Sequence, residues 1–497
     1  MSSTARPEPE TVPVIVWFRR DLRLADNPAL TSALATERPV ILLFILEDHH
    51  GTLRAKGGAS DWWLENSLRQ LGRDIGALGG KLVLRRGDPA TVLAKLQEET
   101  RATHIFWNRR YAQPARDQDI AVKKRLTEAG IDVRSFNANL LTEPWTQKTG
   151  GGTYYKVFTP YWRSVQANYT PPAPLPPPKS LQPTSLASDR LEDWKLYVPK
   201  PDWAADMSGH WTPGEKSARG KLDEFLLSPV STYKEDRNRP DIESGTSGLS
   251  PHLAFGEISP ALIWRATMAR ISSGHIDPNN ARIFLSEIAW REFSYVLLYH
   301  NPALASENYN PDFRHMPWRN DRNDYKAWCE GRTGYPMVDA GMRQLWKTGW
   351  MHNRVRMICA SFLTKHLLLP WQWGEEWFWD TLVDADPAAN AASWQWTAGS
   401  GADAAPYFRV FNPITQGAKF DITGDYVRKY CPELAKLPTK YIHRPWEAPP
   451  VDLAAAGIKI DETYPAPIVD HKVGRERALS AYNELKRKRD ELSAQAN

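Results

Sequence analysis

Residues 12–46 read VPVIVWFRRDLRLADNPALTSALATERPVILLFIL. Two apolar runs of strand length, Val12–Phe18 and Val40–Leu46, enclose a stretch of helical spacing that opens on proline, Pro28–Ala35. The alternation continues outward. Lys81–Leu84 and His104–Trp107 are further short apolar runs, and Asp61–Leu78, Pro89–Glu99 and Arg116–Ala129 have helical spacing. Strands alternating with helices predict βαβ units, hence an α/β fold with a doubly wound parallel sheet covered on both faces. WFRRDLRLADNP stands where a GxGxxG turn would follow the first strand, so the ordinary dinucleotide fingerprint is absent.

At 497 residues the chain exceeds one domain, against roughly 100–200 residues each. Its 42% apolar and 24% charged residues exclude global disorder. The balance of 63 Lys and Arg against 58 Asp and Glu, +5, is too even to name a partner by itself. Three separated cysteines, Cys329, Cys359 and Cys431, exclude a disulfide scaffold or a Cys-rich zinc site. The start MSSTARPEPE lacks a signal-peptide stretch, and no apolar run approaches the ~18 residues of a membrane span. A cytoplasmic protein is expected, without metal or membrane partner. The 22 Trp outnumber the 18 Tyr and the 15 Phe, an unusual ranking.

PPAPLPPPKSLQP at 171–183 holds seven prolines and can form neither helix nor central strand. Beyond residue 214 the pattern turns helical, at 214–227, 259–273, 280–300, 335–347 and 350–368. The expected divisions are a disordered 1–11, an α/β domain at 12–140, a long Pro-rich linker at 141–213, an all-α domain at 214–471, and a C-terminal helix at 472–497. The KRKR run Lys486–Arg489 is flanked by acids and reads as a solvated helix face.

Chemistry concentrates in the helical half. In SEIAWREF, Glu287, Trp290 and Arg291 share one helix face, either as a surface ion pair beside a core Trp or as a site. In GWMHNRVRM, Asn353, Arg356 and Met357 share a face that suits a polar ligand, and Arg354 points about 100° away. In DADPAANAASWQW, Asp384 and Asp386 lack calcium-loop spacing and read as charge partners. Trp394 and Trp396 share a face in a strand but diverge in a helix. GTSGLS at 245–250 can hold phosphate through hydroxyls and amides, or be a plain loop. Aromatic walls and arginines together suit a phosphate-bearing aromatic ligand or unstacked bases.

WFRRDLRLADNP, YYKVFTPYW, GTSGLSPHLAFGEIS, FLSEIAWREF, GWMHNRVRM, DADPAANAASWQW and DAAPYFRVFNP, in order from about residue 12 to 480, resemble the photolyase/cryptochrome family, nearest to the class I bacterial cyclobutane pyrimidine dimer photolyases. The resemblance implies a five-stranded parallel sheet and an FAD-binding helical domain. It places Tyr233, Thr246, Ser247, Leu249 and Ser250 at the phosphates and ribityl. Arg291, Asn353, Arg356, Asp384, Asp386 and Asn390 fall around the isoalloxazine, with Asn390 at N5 favouring the reduced FADH⁻. It also implies a monomer that flips a pyrimidine dimer out of DNA and splits it with a light-driven electron that then returns. Trp290, Met357 and Trp396 would wall the dimer, and Glu287 would hydrogen-bond a thymine carbonyl. Arg237, Arg354 and Arg409 would hold the DNA backbone. Trp394, Trp371 and Trp318 match a three-tryptophan electron chain.

Histidines that (6–4) photolyases carry are replaced here by Asn353 and Met357, which argues against (6–4) repair; His352 alone remains. A signalling cryptochrome is the rival, opposed by Asn390 and by Glu287 retained with Trp290 and Trp396. A second antenna chromophore is implied, of methenyltetrahydrofolate or 8-hydroxy-5-deazaflavin type. Pro114-Ala115 replaces a folate-binding Asn-Glu pair, and Arg20, Glu47 and Asn108 either border that chromophore or are strand-end polarity.

Overall fold

The apolar runs become strands in the computed structural model, which describes residues 12–47, 53–198, 202–407 and 409–495. The expected disordered segment 1–11 lies outside the described residues. β1 (Val14–Phe18), β2 (Val40–Glu47), β3 (Leu82–Gly87), β4 (His104–Asn108) and β5 (Asp132–Phe136) form one parallel sheet in the order β3-β2-β1-β4-β5. β1 sits centrally, with Val14 opposite Val40 on one side and His104 on the other. Every β1 residue is buried, which is why its sequence is continuously apolar rather than alternating.

The two faces divide by the two-residue period of a strand. Val14, Val16 and Phe18 pack with α1 (Pro28–Leu34) and α2 (Gly58–Ala77), while Ile15 and Trp17 pack with α3 (Pro89–Thr100) and α4 (Gln113–Glu128). Each fully buried side chain of this kind is worth about 1.5–3 kcal/mol. β5, with sequence DVRSF, was announced by no apolar run. It is an edge strand with a single buried position, so it needs little hydrophobicity.

The Pro-rich stretch forms neither helix nor strand and runs along the sheet domain. Asp26 N donates to Leu175 O at 2.8 Å, and Leu175 N donates back to the Asp26 carboxylate at 2.9 Å. The helical half follows the expected stretches closely. Pro278–His300 starts at a proline and is capped by Asp277, which accepts from Asn280 N at 2.9 Å. The 350–368 stretch is not one α-helix. It begins at Asn353 under the His352 cap and widens into a π-helical turn over Phe362–His366. At the chain's end His471–Gln495 is helical, and Lys488 pairs with Glu484 at 2.8 Å on its exposed face.

Sheet and helices are locked together at the end of β1. Gly256 has φ +66°, and a Cβ there would lie 2.0 Å from Arg20 O, so only glycine permits this backbone approach. Beside it, buried Trp63 donates to Glu257 Oε1 at 3.1 Å, and the other Glu257 oxygen lies 2.5 Å from His252 Nδ1. Arg23, 1% exposed, donates to Gly256 O and Ala138 O, at 2.8 and 2.6 Å.

Candidate functional site

Glu287 projects from Pro278–His300 and pairs with Arg237 at 2.7 Å. Burial pushes its carboxyl above the usual range, while Arg237 first and Arg354 more weakly pull it down. Arg354 lies close enough to Arg237 and Arg409 to feel both charges, although burial is the larger cause of its lowered pKa. Two arginines from separate segments, Arg237 and Arg354, therefore act on one acid, and a third, Arg409, adjoins Arg354. Arg354 donates to Asn238 Oδ1 at 2.6 Å and lies over the Phe420 ring at 4.6 Å, while Arg409 is exposed. Like charges held together in excess of the one acid favour an external anion.

Trp290, one turn beyond Glu287, stacks flat on Phe158, with ring centroids 3.7 Å apart. Phe158 was not singled out beforehand, although it lies inside YYKVFTPYW. Its backbone N donates to the Asp403 carboxylate at 3.0 Å, which fixes its ring under Trp290. Met357 and Trp396 are half-buried. Because Ala389–Ala398 is a helix, Trp394 and Trp396 diverge: Trp394 is 2% exposed in the core and Trp396 remains accessible.

A cavity of about 550 Å³ opens between helices, a size suited to a cofactor. Thr246, Ser247 and Gly248 line it, as do Trp211, Lys221, Gln344, Trp350 and His352. Of the other residues expected there, Tyr233 is buried against Phe225 and Phe284, Leu249 is 2% exposed in the core, and Ser250 Oγ accepts from Trp350 Nε1 at 3.2 Å. Burial holds His352 neutral, its pKa pushed down to about 3 with help from Arg354 and Arg356.

The ring-side residues form two assemblies. Arg356 donates to Asp384 at 2.8 Å and to Met351 O at 2.7 Å; Asn353, on the first turn of the same helix, is exposed. Asn390 Nδ2 donates to Glu375 Oε1 at 2.8 Å and to Glu375 O at 3.0 Å, which leaves its carbonyl oxygen as the free end. Asp386 is fully used internally. Oδ1 accepts from Ala388 N and Ala389 N, both at 2.9 Å, and Oδ2 accepts from Tyr295 OH at 2.7 Å. It caps the helix that carries Asn390. Arg291 donates to Asn139 O at 2.7 Å and sits over Tyr295. Glu375 and Tyr295 were missed by sequence reading, since their role exists only through these contacts.

Among the buried side-chain atoms without a protein partner, three belong to these residues: Asp384 Oδ1, Arg291 Nε and His352 Nε2. Such atoms are normally satisfied. One acceptor, one cationic donor and one imidazole nitrogen, together with the cavity, fit a polar heteroaromatic cofactor such as FAD. Of the expected tryptophan chain, Trp394 and Trp371 are buried and Trp318 is half-buried. Trp371 Nε1 donates to Asn308 at 2.8 Å, and Trp394 meets Phe378 and Trp328 edge-on. In the sheet domain, Asn108 donates to Asp21 at 2.6 Å and Asn27 at 2.8 Å, and Glu47 is held by Arg110 at 2.7 Å. These are strand-end contacts.

Fold and site together define a class: a doubly wound sheet backed onto a Trp-rich helical body that can hold a large polar cofactor. The family comparison agrees. Residues 14–179 match the DNA photolyase model, and residues 284–484 match the FAD binding domain of DNA photolyase. The chain belongs to the photolyase/cryptochrome family. It is 53% identical over 480 residues to the deoxyribodipyrimidine photo-lyase of Agrobacterium fabrum, covering 96% of this chain and 99% of that one. Cryptochrome-1 of Arabidopsis thaliana is 38% identical, covering 95% of this chain and 70% of that protein. Among solved structures, a bacterial class III photolyase from Agrobacterium tumefaciens superposes with TM-score 0.93 at 53% identity, over 98% of this chain and all of that one. The archaeal photolyase of Sulfolobus tokodaii, solved with two FAD molecules, gives TM-score 0.78 at 29% identity, over 95% and 99%. The likeness expected to class I is therefore corrected toward class III.

Proposed function

We propose that this protein is a light-dependent deoxyribodipyrimidine photo-lyase that repairs cyclobutane pyrimidine dimers in DNA. The observation that carries the reading is the arrangement around Glu287: one acid facing Arg237 and Arg354, Arg409 beside the latter, and the stacked Trp290 on the acid's own helix. The 53% identical photo-lyase, matched over nearly its whole length, supports it. Reduced FAD held by these residues would supply the light-excited electron donor for the dimer and the acceptor for the returning electron.

The chain's own residues do the rest. Thr246, Ser247 and the cavity walls hold the nucleotide part, and Asn353, Arg356, Asp384 and Asn390 hold the ring system. Glu375 fixes the Asn390 amide so that its oxygen stays free as an acceptor, which would favour the protonated, reduced form of a bound flavin. Arg237, Arg354 and Arg409 grip backbone phosphates without reading sequence. Trp290, Met357 and Trp396 form the apolar wall that replaces the lost base stacking of the flipped dimer. Glu287 stabilises charge as it develops on the carbonyl. Trp318, Trp371 and Trp394 relay electrons inward, from the half-buried ring through the buried ones to an oxidised flavin.

The same proposal covers the divisions at residues 12–140, 141–213, 214–471 and 472–497, a monomeric cytoplasmic protein, and a second antenna chromophore bound elsewhere than at Asn108. No helix among the described residues is long and apolar enough to cross a membrane. The test is irradiation of dimer-containing oligothymidylate with the reduced holoprotein. Recovery of absorbance near ~260 nm in light, and none in darkness, is expected. No recovery with reduced flavin bound would favour the signalling role of the 38% identical cryptochromes.

A further inference from the structure

Two residues with separate expected duties hold each other. Arg237 and Glu287 are paired at 2.7 Å with side chains 23% and 27% exposed, so water or a ligand can reach both. On the repair reading above, Arg237 meets a DNA phosphate and Glu287 a carbonyl of the dimer. The second contact poses a chemical problem: an ionised carboxylate only accepts hydrogen bonds, and so does a carbonyl oxygen. Glu287 can bond that carbonyl only as the protonated acid.

The surroundings decide when this happens. The groups facing Glu287 are Arg237, Arg354, the Ser286 hydroxyl and, through its ring, Tyr233. Burial pushes the carboxyl up, and Arg237 is the strongest influence holding it down. Arg354 is anchored separately on Asn238 Oδ1 at 2.6 and 3.2 Å, so moving Arg237 does not bring Arg354 into its place. A phosphate engages a guanidinium through the same N–H fork that now serves Glu287.

We propose that the Arg237–Glu287 pair is a substrate-sensing switch: a DNA phosphate draws Arg237 away, Glu287 takes one proton from solvent, and the resulting acid donates its O–H to the dimer carbonyl. No electron moves in this step; the carboxylate gains a proton and the guanidinium exchanges one oxyanion for another. Covering Glu287 with the dimer raises its proton affinity further, so binding takes up protons. Affinity is then greatest at low pH and is lost as pH rises through the carboxyl's raised value in the complex.

The test is calorimetric titration of the FAD-loaded protein, in the dark, with a dimer-containing oligonucleotide in two buffers of different ionisation enthalpy. Uptake approaching about one proton is expected for the wild-type protein, less for Arg237→Ala, in which Glu287 is already released, and none for Glu287→Gln. Dimer affinity should weaken by up to about tenfold per pH unit in the upper range, with a flat profile for Glu287→Gln. Tight dimer binding without proton uptake, or equal uptake by wild type and Glu287→Gln, overturns the switch while leaving repair intact. Failure to prefer dimer-containing over undamaged DNA overturns the repair reading and the switch with it.

Discussion

Arg54→Ala is expected to loosen the flavin site from the sheet-domain side of Glu375. Arg54 lies between β2 and α2, and its guanidinium donates to both Glu375 oxygens, at 2.7 and 2.9 Å, while lying 4.2 Å over the Trp379 ring. Glu375 is 3% exposed and is the anchor of Asn390. Without Arg54 the carboxylate keeps only a neutral amide as its side-chain partner. Deleting one member of a buried ion pair costs about 3–5 kcal/mol. Arg54 itself is 36% exposed, so water compensates in part and about 1–3 kcal/mol remains. At about 2–4 °C per kcal/mol, the temperature of flavin release, followed by fluorescence, should fall by roughly 2–12 °C. Arg54→Lys, which keeps the charge but not the two-pronged contact, should fall between. Release at the wild-type temperature with an unchanged flavin spectrum in Arg54→Ala would refute the reasoning.

Gly374→Ala places a Cβ 2.1 Å from the Trp394 ring, which Phe378 and Trp328 hold in place; a loss of about 1–3 kcal/mol in urea denaturation is expected, and wild-type stability would show that the ring yields freely. Trp394→Phe should block light-driven reduction of oxidised flavin yet spare repair by chemically reduced enzyme, and unimpaired photoreduction would remove this residue from the relay. Lys365 is fully buried, its Nζ donating to Arg409 O at 3.0 Å, and burial lowers its pKa to about 7. The unfolded chain therefore binds the extra proton above that pH, so stability gains up to about 1.4 kcal/mol per pH unit between about 7 and 10 from this group. Comparing denaturation midpoints of wild type and Lys365→Met across that range checks it, and parallel profiles would contradict it.

Much of the fold was legible because periodicity is local. The runs at Val12–Phe18 and Val40–Leu46 matched β1 and β2 to within two residues, since strands buried on both faces must be continuously apolar. β5 was not legible, because an edge strand with one buried position needs no apolar run. Nor was the π-turn at Phe362–His366, where helical spacing continues and only the hydrogen-bond register changes. Motif order alone was enough to point to the family.

The sequence by itself determined which residue types are available to the chemistry: Glu287, Trp290, Arg354, Arg356, Asn390 and Trp394 stand in helices whose faces their spacing defines. What those residues do to one another was decided only by tertiary structure. Packing brought Tyr295 to Asp386, set Glu375 and Arg54 behind Asn390, laid Phe158 under Trp290, and brought Arg237 to Glu287. The physical reason is range. Helical and strand periodicities act over a few residues, whereas ion pairs and hydrogen bonds depend on ångström separations between segments that meet only when the chain is packed.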